Sequence, residues 1–140
     1  MIDDVLINKI QSIERCLQRI REEYNGYEKD FKNNYTKQDS IILNLQRCCE
    51  IAIDIGAHIV RVNKLGVPQA GREVFDMLES NKIINKNLSE RMQKMVGFRN
   101  IAVHDYKSID IDILENVLKN HLDEFLDFNT SIQRFSNSKK

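Results

Sequence analysis

Residues 37–63 read KQDSIILNLQRCCEIAIDIGAHIVRVN, and their apolar spacing decides the fold. Ile41, Leu45, Cys48, Ala52, Ile55 and Ile59 recur every three or four positions, which is the period of an α-helix. Ile42, Cys49, Ile53 and Val60 widen that stripe, so the helix has apolar side chains for more than one neighbour. It is predicted to be the centre of an all-helical bundle. Just upstream, Thr36-x-x-Asp39 resembles a capping box with Asp in place of the usual Glu, which marks a helix start near residue 37.

Working outward, Ile2, Leu6, Ile10, Ile13, Leu17, Ile20 and Tyr24 form one stripe of a helix over about 2–24, with Asp3 and Asp4 suiting its N-terminal dipole. Residues 25–35 are polar and interrupted, and they read as a loop. Gly66, Pro68 and Gly71 punctuate the stretch after residue 63 as a turn or ordered loop. Two short helices follow, near 71–80 (Val74, Phe75, Met77, Leu78) and 86–97 (Leu88, Met92, Met95, Val96). A last long helix is expected over about 111–135, with Leu118, Leu122, Phe125 and Ile132 on its stripe and a frayed tail from Ser136 to Lys140. The expectation is an up-and-down bundle of three long and two short helices, one domain over 1–140. The broad stripes also fit the burial of one face against a second copy.

Lys plus Arg and Asp plus Glu balance at 21 each, so the field of the whole molecule does not draw in polyanions. The charge is unevenly placed: Lys86, Arg91, Lys94, Arg99 and Lys107 crowd residues 86–107, while acids dominate 110–127. That permits a local phosphate site without general affinity for nucleic acid. No apolar run approaches the ~18 residues of a membrane span, and the acidic N-terminus lacks the layout of a secretory signal. The cytoplasm is the expected location, with no membrane partner. Cys16, Cys48 and Cys49 show no metal-ligand spacing and read as core thiols. Nothing in the sequence asks for a metal or another cofactor.

Chemistry concentrates in Gly97-Phe98-Arg99-Asn100-Ile101-Ala102-Val103-His104-Asp105-Tyr106. A bundle needs only a short polar turn before its last helix. Here the chain supplies a guanidinium, an amide, an imidazole and a phenol. Residues five apart on a straight helix point about 140° apart, so convergence of Arg99 and His104 requires the helix to bend or end between them. His104 and Tyr106 converge if that stretch is extended. Arg matches phosphate geometry, His takes or gives a proton, and Tyr adds a hydroxyl. Together they suffice for RNA cleavage in which a 2′-hydroxyl attacks the adjacent phosphorus, with His104 as base or acid and Arg99 as charge stabiliser. One His does not readily serve as base and acid in one step, which is a chemical reason to expect a homodimer that pairs two motifs. Structural roles stay open at each position: Arg99 as a helix cap, Asn100 as a turn residue, Tyr106 as a packed aromatic. Asp54 and His58, four apart on one helix face, either orient the Arg99/His104 site or form a local pair or exposed stripe. His121 is expected at the surface.

The string Arg99-Asn100-x-x-x-His104-x-Tyr106 resembles the R-x4-H-x-Y signature of HEPN-domain toxins, specifically their HepT-like branch. The likeness extends upstream through Ala52-Ile53-Asp54-Ile55-Gly56-Ala57-His58, Gly66-Val67-Pro68, Glu73-x-Phe75-x-x-Leu78 and Met95-Val96-Gly97-Phe98. The resemblance implies a metal-independent endoribonuclease, dimeric around its paired motifs. It also implies a partner, a minimal nucleotidyltransferase antitoxin that silences the toxin by attaching AMP to the motif tyrosine, here Tyr106. Asn100 is carried over as a residue that orients the turn or contacts substrate. The alternative is a catalytically silent HEPN module that binds the nucleotidyltransferase without cutting RNA.

Overall fold

The computed structural model describes residues 3–138, and within them the regular structure is entirely helical. Helix α1 spans Asp4–Tyr24, α2 Tyr35–Val62, α3 Gly71–Ser80, α4 Lys86–His104, α5 Ile111–Asn120 and α6 Asp123–Ser138. As its two-sided stripe requires, α2 is central: it touches α1, α3, α4 and α6. Phe31, Phe75, Phe125 and Phe128 are fully buried around it. Phe75 and Phe128 meet edge to face at 5.7 Å, which joins α3 to α6.

The helix starts are set by side chains that accept otherwise orphaned N–H groups. Asp3 takes the amide of Leu6 at 2.8 Å, Asn85 that of Leu88 at 2.8 Å, and Asp110 that of Asp112 at 2.8 Å. For α2 the cap is Asn34, which accepts from Lys37 at 3.0 Å, so the capping box expected at Thr36 is not formed. Thr36 and Asp39 already lie inside the helix. Glycine allows one close approach in the core: a Cβ on Gly56 of α2 would lie 2.3 Å from Cγ1 of Val74 on α3.

Several boundaries differ from expectation. The stripe position Ile2 falls outside the described residues. The 25–35 loop contains a 3-10 turn at Phe31–Asn33 that drives Phe31 into the core, edge-on to Tyr24. Gln38 ties that turn down by donating to the Phe31 carbonyl at 2.8 Å. The last long helix is two, separated at His121, which bonds through Nδ1 to the buried Glu124 carboxylate at 2.6 Å. The tail is not frayed at Ser136, which is buried in α6; Lys139 and Lys140 lie outside the described residues. Most consequential is α4. It continues seven residues beyond Gly97 to His104, so it is a long helix and carries both Arg99 and His104.

Candidate active site

Arg99 follows Met92, Met95 and Val96 at helical spacing, three residues before Ala102, and all four of those side chains are buried. A guanidinium therefore occupies a place on the core-facing stripe of α4. Its Nε is buried and has no hydrogen-bond partner among the described residues. Across the helix interface lies Cys49 of α2, whose thiol donates to the Met95 carbonyl at 3.4 Å. Burial pushes that thiol up to about 12, with the positive charge of Arg99 working against the rise. A half-buried cation with an idle donor is costly to the fold, and it is a ready seat for an anion.

His104 is the last residue of α4 and is exposed, as is Asn100. The helix does not end between Arg99 and His104, so the expected convergence through a backbone break does not occur. Within one chain the two side chains leave the helix about 140° apart. The break comes one residue later, at Asp105, with φ −152° and ψ 61°. Tyr106 then opens a 3-10 turn, Tyr106–Ser108, rather than the extended stretch that would align it with His104.

That turn brings the phenol to α2, where the Tyr106 hydroxyl donates to the carboxylate of Asp39. Partial burial, together with the Asp39 carboxylate, pushes the phenol up to about 12. Asp39 is the site residue that sequence reasoning missed. An acid near a helix start reads as a cap, and nothing in the spacing links position 39 to position 106.

Asp54 and His58 make their contacts with the first helix. Asp54 pairs with Lys9 at 3.7 Å. His58 accepts from Arg61 at Nδ1 (3.0 Å), so its Nε2–H donates to Asp3 at 2.9 Å. That bond holds the Asp3 carboxyl below its ordinary value at the start of α1. Along α2, His58 is about 28 Å from Asp39. Both residues fasten α2 to α1, and no hydrogen bond or ion pair joins either of them to Arg99 or His104 among the described residues. His121 is half-buried and is held by Glu124, which also bonds Arg91 at 3.2 Å. Cys48 and Cys49 are buried, whereas Cys16 is only half-buried.

Comparison with known proteins places this geometry. A family model described as ribonuclease HepT-like matches residues 13–132. The chain belongs to the HepT-like ribonuclease family. HepT-like relatives include an mRNA nuclease HepT from Shewanella oneidensis, 50% identical over 127 residues, covering 91% of this chain and 95% of that protein. A tRNA nuclease HepT from Aphanizomenon flos-aquae is 29% identical over 110 residues, covering 78% of this chain and 75% of that one. The structure of a tri-AMPylated Shewanella oneidensis HEPN toxin in complex with its MNT antitoxin superposes with a TM-score of 0.91 at 47% identity, covering 95% of this chain and 99% of that one. The HepT-like fold is thus shared along nearly the whole described chain, and no helix of it is long and apolar enough to cross a membrane.

Proposed function

We propose that this HepT-like chain is the toxin of a toxin–antitoxin pair, and that it cleaves RNA without a metal in a site completed by a second copy. The observation that carries this reading is Arg99, a cation on a core-facing stripe whose buried Nε has no partner among the described residues. A phosphodiester oxygen pairs with the half-buried guanidinium, and as charge gathers on phosphorus the contact strengthens. His104 takes the proton of the attacking 2′-hydroxyl. The bond from phosphorus to the 5′-oxygen breaks, and a second acid protonates the leaving oxygen. The products are a 2′,3′-cyclic phosphate and a 5′-hydroxyl. A single chain offers one His104, about 140° around the helix from Arg99. A two-fold partner supplies the other imidazole and closes the site. The exposure of Val103 on the last turn of α4, and of Leu43 one turn beyond Asp39, fits a covered interface at this end.

Silencing follows from Tyr106. The phenol oxygen attacks the α-phosphorus of ATP, pyrophosphate leaves, and the phenol proton passes to the adjacent Asp39 carboxylate or to solvent. The modified oxygen has no proton left to donate, so its bond to Asp39 is lost, and the nucleotide phosphate occupies space beside the helix end that RNA requires. The AMPylation and the MNT antitoxin of the Shewanella toxin support this half of the reading.

The test of the paired site mixes wild-type and His104→Ala chains by co-expression. If each site needs both imidazoles, activity follows the square of the wild-type fraction, about a quarter at equal mixing. A linear dependence contradicts the shared site.

A further inference from the structure

Beside the motif, on the outer face of α4, runs a groove of about 600 Å³. Its wall on α4 is the stripe Arg91, Lys94, Phe98 and Ile101, and Ile113 of α5 faces it. The next residue of that stripe is His104, one turn beyond Ile101. From Lys94 to His104 is about 15 Å along the helix axis, which is room for about two nucleotides of an extended strand.

The groove is cationic where it is open. Arg72 and Lys94 are exposed and make no ion pair among the described residues. Glu124, the one acid lining the groove among the described residues, is buried and already bonded to Arg91 and His121. Arg72 has a built seat. A Cβ on Gly97 would lie 2.7 Å from its Nη2, so the bare backbone of α4 leaves the place where the guanidinium rests. This gives the glycine in the interior of α4 a packing reason.

We propose that this groove holds the single-stranded RNA flanking the cut. Arg72 and Lys94 take backbone phosphates, and Phe98 with Ile101 gives the bases an apolar floor. With a net charge of zero the molecule has no general pull on RNA, so local cations continuous with His104 are what align a strand on the motif. Charge complementarity favours a polyanion over a protein surface here, because the exposed charges that line the groove are the cations Arg72, Arg91 and Lys94, while Glu90 and Asp76, one helical turn from Lys94 and Arg72, lie outside the lining. The proposal rests on the ribonuclease reading above and assigns where the rest of its substrate lies.

The test compares a ribodinucleotide, which fills only the cut site, with an unstructured single-stranded oligoribonucleotide. For the Arg72→Gln/Lys94→Gln double variant, kcat/KM for the oligonucleotide relative to the dinucleotide falls about tenfold. The salt dependence of oligonucleotide binding to the double variant, measured with His104→Ala added to prevent turnover, becomes shallower by about 0.7 in log–log slope per cation removed. Gly97→Ala, which displaces Arg72 without changing charge, lowers the same ratio. An unchanged ratio and slope overturn the groove while wild-type cleavage leaves the ribonuclease reading standing. Weakened binding of the Shewanella MNT antitoxin with an unchanged RNA ratio also overturns it, in favour of a protein interface. A wild-type chain that cuts neither substrate overturns both.

Discussion

Replacing Arg99 by Met separates what the side chain does for the fold from what it does for chemistry. Its Nε is buried without a partner among the described residues, and a buried donor left unsatisfied costs about 1–3 kcal/mol. Methionine has a similar straight reach, no donor, and the flexibility to fill the space between α4 and α2 beside Cys49. Arg99→Met therefore raises stability by about 1–2 kcal/mol, or roughly 3–8 °C in Tm for a domain of this size. Cleavage falls in the same variant by about 10²–10³, the loss expected when a charge-stabilising donor is removed. Arg99→Lys keeps the charge but loses the planar fork, and recovers only part of the rate. The assay is thermal unfolding by circular dichroism at one fixed protein concentration, because dimerisation makes Tm concentration-dependent, run beside RNA cleavage. A drop of several degrees for Arg99→Met would refute the reasoning, since it would make Arg99 a residue that holds the fold together. Retained cleavage would remove it from the chemistry.

Three further outcomes follow from contacts around the site. Asp39→Ala lowers the Tyr106 titration from about 12 toward the ordinary value near 10, read as the ultraviolet difference against Tyr106→Phe. Because the folded chain holds this proton more tightly than the unfolded one, the stability it contributes is complete below about pH 10 and is lost as pH rises through the folded value; an unmoved titration would deny the contact. Gly56→Ala puts a methyl against Val74 and costs about 1–3 kcal/mol, seen as a lower urea midpoint with an unchanged m-value. Cys16 is drawn well below its ordinary value, to about 6, by its hydrogen bond with Cys48 and by Arg47, Arg15 and Arg19. Iodoacetamide at pH 7 should therefore alkylate Cys16 in the folded chain while the buried Cys48 and Cys49 react only after unfolding.

The bundle was largely legible because its helices carry apolar stripes that only one period explains. Ile41 to Ile59 identified α2 as central, and the short helix over 71–80 matches α3 at both ends. The failures share a cause, which is that tertiary contacts override local signals. Gly97 reads as a helix end, yet Arg72 lies where its Cβ would be and the helix runs on to His104. The break at His121 depends on Glu124, itself fixed by Arg91 thirty-three residues earlier in sequence. Within the site, the residue types at 99, 104 and 106 were visible as chemistry, but their directions were not. Arg99 and His104 were expected to meet within one chain, and the unbroken helix holds them apart. Asp39 was invisible because its partner is sixty-seven residues away. The partners of Asp54 and His58 were not legible either, because Lys9 and Asp3 lie on α1 and at its N-cap, far away in sequence.

The most direct measurement is cleavage of single-stranded RNA by the purified, unmodified chain in excess EDTA, with the ends of the fragments analysed. The account requires cutting that leaves 2′,3′-cyclic phosphates and disappears in His104→Ala. Cutting that needs an added divalent ion, or that persists in both Arg99→Ala and His104→Ala, would contradict it.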